Sequence, residues 1–198
     1  MKILHIVSSP RGAASVSIQL GNAVVEKVQA KYPGSTVTTH DLTNKPFPHL
    51  EEVHLNAFYT PAENHTPELT EAIKHSDAAI AELKDADVIV IDVPLYNFSI
   101  PSTLKAWIDH ISRAGITFAY TENGPKGLIT DKKVYLALAS GGVYSEGAFA
   151  PYDFATPYLK GFLGFIGMTD VTLYRAEGLS VPALKDTALE KAIATIEV

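Results

Sequence analysis

A three-layer α/β/α fold around a parallel sheet is what this sequence predicts, on three observations. Short apolar runs alternate with longer stretches of helical periodicity, the pattern of stacked βαβ units. One run, Asp87-Val88-Ile89-Val90-Ile91-Asp92-Val93, is apolar at nearly every position and too short for a helix, as a strand covered on both faces is. Three of the predicted strands end in loops with ligand-binding chemistry, which an open α/β sheet collects at the carboxyl ends of its strands. Five strands with interleaved helices point to the order 2-1-3-4-5, in one domain over residues 1–198.

The first strand is Lys2 to Val7. After the polar loop Ser8 to Ala14, the residues Val16, Leu20, Val24 and Val28 recur every four positions and give a helix with one apolar stripe, ended by Pro33-Gly34. Ser35 to Asp41, rich in Thr and Val, reads as the second strand, and the proline-containing stretch from Asn44 to Pro67 reads as a long surface excursion. Leu69, Ala72, Ile73, Ile80 and Leu83 mark the helix that delivers the chain into the third strand, Asp87 to Val93. Ser102 to Ile111 opens with a capping hydroxyl and carries Leu104, Trp107, Ile108 and Ile111 at helical spacing. Gly and Pro punctuate Ala114 to Leu128, as in an irregular excursion or a hairpin. Val134 to Ala139 is the fourth strand, and Thr156 to Ile166 a helix. Asp170 to Tyr174 is the fifth strand, and a final helix with Leu184, Ala188, Leu189, Ala192, Ile193 and Ile196 on one side docks on the sheet.

Composition removes several functions. A chain without cysteine has no thiol redox chemistry, thiolate metal site or disulfide framework, so electrons, if moved, travel on a cofactor. The net charge of -6, with no basic stripe, argues against nucleic acid. No stretch approaches the ~20 apolar residues of a membrane span, and the apolar amino terminus is too short for a signal peptide, so a soluble cytoplasmic protein is expected. Neither Gly-x4-Gly-Lys-Ser/Thr nor Gly-x-Gly-x-x-Gly occurs, the seven histidines lack close metal-binding spacing, and no Gly-x-Ser-x-Gly elbow is present.

Three loops remain, after strands one, three and four, and the predicted order makes those strands neighbours at the switch point. Ser9-Pro10-Arg11-Gly12-Ala13-Ala14-Ser15-Val16-Ser17 offers hydroxyls and amides at a helix start, where orphan N–H groups and the helix dipole favour a phosphate, and Arg11 adds charge. Plain helix capping by Ser15 or Ser17 is the alternative. In Pro94-Leu95-Tyr96-Asn97-Phe98-Ser99-Ile100-Pro101, a loop held by two prolines presents Tyr96 and Phe98 to flank a planar ring. Ser140-Gly141-Gly142 leaves bare backbone that a flat heteroaromatic edge can approach, unless it is an ordinary tight turn. Tyr120 and Phe162 are further aromatic candidates, although a helix aromatic such as Phe162 is more often core.

Together these residues resemble the FMN-dependent NADH-azoreductase family of flavodoxin-like quinone reductases. The similarity rests on Ser8-Ser9 with Ser15-Val16-Ser17, on Pro94-Leu95-Tyr96-Asn97-Phe98, on Arg113-Ala114-Gly115-Ile116-Thr117-Phe118 with Tyr120-Thr121-Glu122-Asn123-Gly124-Pro125, on Gly141-Gly142, and on Thr156-Pro157-Tyr158-Leu159 with Phe162-Leu163-Gly164-Phe165-Ile166-Gly167. The resemblance implies a flavodoxin-like fold with FMN as cofactor and NADH, or NADPH, as electron donor. Ser9, Arg11, Ser15, Val16 and Ser17 would hold the FMN phosphate; Pro94, Leu95, Tyr96, Asn97 and Phe98 would line the ring; Ser140, Gly141 and Gly142 would meet its pyrimidine edge. Phe98, Tyr120 and Phe162 would form the substrate chamber. Leu95 stands where the family often has Met, and Ala139-Ser140 where it often has Ser-Arg, departures that bear on substrate choice. The implied chemistry is two-electron ping-pong hydride transfer through FMN to quinones or azo compounds, in a homodimer with active sites at the interface, and the region of Phe58 and Tyr59 closing the partner's site. No side chain stands out as a dedicated proton donor, and water can serve. The competing readings are an FMN-binding electron-transfer module and a phosphodiesterase acting on a carrier protein, which finds no metal cluster or nucleophile here.

Overall fold

A computed structural model describes residues 1–198. Five parallel strands form the sheet: β1 (Lys2–Val7), β2 (Thr36–Asp41), β3 (Val88–Pro94), β6 (Lys133–Ala139) and β7 (Asp170–Ala176), in the order β2-β1-β3-β6-β7. This is the predicted 2-1-3-4-5 order of the core. A short antiparallel hairpin, β4 (Phe118–Thr121) with β5 (Gly124–Gly127), stands apart and settles residues 114–128 as a hairpin.

Burial of β3 on both faces explains its apolar run, interrupted only by Asp92: every residue from Val88 to Pro94 is buried. On one face, α3 (Pro67–Asp85), α4 (Ser102–Ile111) and α5 (Ala155–Phe165) cover a core built on Leu4, Ile6, Ile89, Ile91, Trp107 and Leu136. On the other, α1 (Val16–Lys31) and α6 (Ala188–Ala194) cover Ile3, Val88, Val90, Tyr135 and Ala137. The alternation of partners along each strand is the period-2 consequence of the pleat.

Four local expectations are corrected. The excursion from Asn44 to Pro67 contains a helix, α2 (Glu52–Tyr59), nucleated by reciprocal capping between Glu51 and His54. It is not all surface, because Phe47, His54 and Ala57 are buried. Ser102 is not a cap: Pro101 holds that position, and its carbonyl accepts the Lys105 N–H at 3.0 Å. The final helix is only seven residues, since Leu184 lies in the preceding turns, where its side chain packs onto Gly178. The fifth strand runs on to Ala176, paired throughout with β6.

Candidate functional site

Register brings the three loops together. β3 pairs with β1 up to Ile6↔Ile91 and with β6 up to Pro94↔Ala139, so all three strands deliver their loops to one edge. Cross-links tie the loops to each other. Ser8 Oγ donates to the Asp92 carbonyl at 2.6 Å, the Leu95 N–H donates to the Ala139 carbonyl at 2.8 Å, and Ser9 Oγ lies 3.4 Å from the Tyr96 hydroxyl.

At the first loop the backbone of Ser15 takes the extended cap conformation, yet no side chain caps α1. Instead the hydroxyls of Ser15 and Ser17, both buried, face each other at 3.0 Å. Capping, the alternative for these serines, is therefore not what they do. A helix start with two inward hydroxyls and amides free of side-chain partners is chemically suited to a multiply charged oxyanion. Gly12, at φ +54, lets the chain turn into it, and Arg11 is exposed on the rim and forms no ion pair in the structure.

The second loop is a two-residue turn closed by reciprocal hydrogen bonds between Tyr96 and Ser99, each 3.0 Å, with Asn97 at φ 50 and Phe98 at φ 69. Positive φ at both central positions is the type I′ turn, usually reserved for Asn-Gly. Placing a phenylalanine there costs about 1–2 kcal/mol of backbone strain, sustained by the surrounding contacts. Its reward is geometric: the Phe98 ring and the Tyr96 ring are held outward, 43% and 37% exposed, while the amides of Asn97 and Phe98 have no acceptor in the protein.

The third loop is asymmetric in its hydrogen bonding. The carbonyls of Ser140, Gly141 and Gly142 are taken by the amides of Leu179, Ser180 and Gly178 at 2.9–3.1 Å, and the Ser140 hydroxyl also donates to Gly142. The amides of Gly141, Gly142 and Val143 have no acceptor. Glycine leaves close quarters here: a Cβ on Gly141 would meet Ser180 Oγ at 2.8 Å, and one on Gly142 would meet the Tyr144 ring at 3.1 Å, so a side chain at either position would push Ser180 or Tyr144 aside. Unpaired donors on adjoining turns match the acceptor-rich edge of a flavin, and the hydroxyl pair at α1 matches its phosphate, so the residues present fit FMN.

The structure does not bring every candidate together within the chain. Tyr120, 77% exposed on the hairpin, stacks edge-on against Phe118 at 5.5 Å, and Phe162 packs on the α3–α4–α5 core. Neither ring contacts Phe98. Its aromatic neighbours are Tyr152 at 5.5 Å and Tyr144 at 6.2 Å, which continue into Phe149. Sequence reasoning missed this group, although four aromatics among Gly, Ser, Ala and Pro between residues 144 and 154 are an unusual composition for a plain loop. Beside the Tyr96 turn, a cavity of about 820 Å³ lined by Ser8, Pro10, Asn97, Thr103, Lys105 and Tyr158 widens the site toward α4 and α5.

Beneath it, Asp92 of β3 and His5 of β1 form a buried hydrogen-bonded pair, His5 Nε2 lying 2.9 Å from Asp92 Oδ1. Burial pushes the Asp92 carboxyl up, opposed by the His5 hydrogen bond and charge, and its second oxygen has no partner. Space for the pair comes from Gly21 of α1, where a Cβ would sit 1.8 Å from Asp92 Oδ1.

A family profile described as flavodoxin-like fold matches residues 1–198. The chain is 48% identical over 198 residues to an FMN-dependent NADH:quinone oxidoreductase of Mesorhizobium japonicum, covering all of this chain and 94% of that one. It is 50% identical over 182 residues to the protein of the same name from Herminiimonas arsenicoxydans, covering 92% and 89%. Among solved structures, an azoreductase from Bacillus anthracis str. Sterne superposes with a TM-score of 0.88 at 33% identity, covering 98% of this chain and 97% of that one. An FMN-dependent NADH-azoreductase from Bacillus anthracis str. Ames Ancestor, solved in complex with FMN, superposes with a TM-score of 0.86 at 27% identity, over 98% and 97%.

Proposed function

The chain belongs to the flavodoxin-like-fold family whose profile spans its whole length, and from that premise we propose that it is an FMN-dependent NADH:quinone oxidoreductase that also reduces azo compounds. The observation that carries this reading is the set of unpartnered amides and hydroxyls that three adjacent strand ends turn toward one edge of the sheet.

FMN, when bound, supplies the redox chemistry, accepting a hydride from NADH and passing two electrons to a quinone or azo acceptor. The protein's share is to bind and orient. Ser9, Ser15 and Ser17, with the amides from Val16 onward and Arg11 at the rim, would hold the phosphate. Pro94, Leu95, Tyr96, Asn97 and Phe98 would support the ring, and Ser140, Gly141 and Gly142 would offer amides to its pyrimidine edge. Those amides stabilise developing negative charge without reorganising, because the carbonyls beside them are already engaged. Phe98 keeps a planar substrate parallel to the ring, and donor and acceptor use the same slot in turn. Residues 1–198 form one FMN-binding domain in this reading. Tyr120 and Phe162, away from Phe98 in the protomer, reach a flavin only across a homodimer interface, which is how we assign them. No helix is long and apolar enough to cross a membrane, and a cytoplasmic location is proposed.

Anaerobic addition of NADH to the FMN-loaded protein tests the reading: the flavin absorbance bleaches, and a benzoquinone restores it. Bleaching without reoxidation by quinone or azo dye would identify an electron-transfer module instead. Ser9→Asp and Ser17→Asp place a carboxylate beside the phosphate, a repulsion of about 4 kcal/mol at 4 Å in a partly screened site. FMN affinity is therefore expected to fall by more than about tenfold, read by quenching of FMN fluorescence on titration, with thermal unfolding as the folding control. Undiminished affinity in a folded variant refutes the phosphate turn.

A further inference from the structure

One guanidinium at the carboxyl end of β7 holds both ends of the aromatic segment. Arg175 Nη2 donates to Asp153 Oδ2 at 2.5 Å and to Thr156 Oγ1 at 2.7 Å, while Nη1 donates to Glu177 Oε1 at 3.2 Å. The same Glu177 oxygen accepts the Tyr144 amide at 2.8 Å, and Asp153 Oδ1 accepts the Thr156 amide at 2.9 Å. Side chains of the triad are only 18%, 8% and 11% exposed for Arg175, Asp153 and Glu177, so these are shielded pairs with both forks of the guanidinium used, unlike a surface ion pair. Burial works to raise the Asp153 carboxyl, but the Thr156 amide and the Arg175 guanidinium outweigh it and hold it below the usual range.

The segment between the anchors has little else to hold it. Residues Gly147–Tyr152 form a short 3-10 turn with no buried residue, and the one backbone hydrogen bond that ties the stretch to the flavin-side loops runs from the Phe154 N–H to the Phe98 carbonyl, 3.1 Å. Yet it carries Tyr144, which lies across Gly142, and Tyr152, which packs on Phe98. It bridges the two loops assigned to the ring, with Phe149, Tyr152 and Phe154 at 61%, 47% and 54% exposure.

We propose that Arg175 is a positioning residue: through Glu177 and Asp153 it pins the 144–154 segment as an aromatic wall between Phe98 and the Gly141–Gly142 amides, and so sets how tightly a planar acceptor is held. A pinned wall binds the acceptor without first being ordered, whereas a loose one must be immobilised at each turnover. The inference rests on the oxidoreductase reading for its kinetic consequence and on geometry alone for the pinning.

Arg175→Met and Arg175→Lys, compared with the unaltered protein in FMN-loaded form and at matched flavin content, test both parts. Chymotrypsin cuts after exposed Phe and Tyr, and cleavage of a transiently opened loop follows the population of the open form. The Met variant is expected to be cut within 144–154 at least about tenfold faster, the ratio that corresponds to one charge-assisted hydrogen bond. Lys is expected to fall between, since a single ammonium cannot serve both carboxylates in the fork geometry. In steady state the KM for a naphthoquinone rises severalfold with kcat little changed. An unchanged cleavage rate overturns the pinning; a fall in kcat at constant KM overturns the role in acceptor binding. Should Arg175→Met fail to fold, Glu177→Gln loosens the Tyr144 end alone and is expected to raise cleavage near Tyr144 selectively, an unchanged pattern again refuting the clamp. If the unaltered protein oxidises no NADH, the functional reading fails while the proteolysis still judges the clamp.

Discussion

Gly21→Ala is expected to reverse the usual sign of a helix substitution. In the interior of an exposed helix, replacing glycine by alanine stabilises by about 0.5–1 kcal/mol. At position 21 the new methyl would lie 1.8 Å from Asp92 Oδ1 and 2.9 Å from His5 Nε2, the former roughly 1.5 Å short of ordinary contact. Two relaxations are open. Swinging Asp92 away breaks a buried pair, at about 3–5 kcal/mol. Lifting α1 off the sheet costs about 1–3 kcal/mol as overpacking does, and the size of the shortfall puts it near the upper end. The cheaper route, less the propensity gain, leaves a net loss of about 2 kcal/mol, or about 4–8 °C in Tm for a chain of this length. Calorimetry and urea unfolding, on protein freed of FMN so that ligand binding does not add to the apparent stability, measure it. In an Asp92→Ala background the offending oxygen is gone, so the same substitution should cost at least about 1 kcal/mol less, a coupling a double-mutant cycle reads directly. A variant as stable as the parent, or a cycle with no coupling, refutes the account of why glycine stands there.

Acid should loosen the α2 region through His110. Burial lowers the affinity of this ring for a proton, as do His54 and His75 nearby, against a hydrogen bond from Nε2 to the Pro48 carbonyl at 3.0 Å. A base depressed in the folded state contributes stability that is present above its unfolded pKa, about 6.5, and is lost as pH falls below it. Protection factors of α2 amides, that is exchange rates corrected for the intrinsic slowing at lower pH, are therefore expected to fall from pH 7 to pH 5.5, and less so in His110→Gln; equal pH dependence in the two proteins would contradict the assignment. Phe98→Gly relieves the positive φ while deleting the ring, so Tm should move by no more than about 1 kcal/mol equivalent while quinone turnover falls severalfold. Loss of stability in proportion to activity would instead make Phe98 a packing residue.

Much of the fold was legible because its signals are local. The nearly all-apolar run from Asp87 to Val93, the four-residue recurrence from Val16 to Val28, and the glycines after β6 each report burial or backbone freedom within a few residues of themselves, and five such elements in alternation leave few topologies. The helix α2 was missed because eight residues capped by a Glu–His pair fall below what periodicity reveals, and its burial depends on Phe47, His54 and His110 meeting from distant segments. For Tyr120 and Phe162 the chain shows a residue's chemistry but not the surface it faces.

What the sequence alone determined is the five strands of the parallel sheet and the three loops that follow β1, β3 and β6 to one edge of it, because hydrophobic period and turn chemistry are properties of neighbours along the chain. Tertiary structure decided the rest: that Ser15 and Ser17 face each other instead of capping α1, that Asp92 finds His5 across 87 positions under a glycine, and that Arg175 ties Asp153 to Glu177. Those outcomes depend on which side chains packing forces out of water together, and only the closed sheet with its helices in place makes that choice.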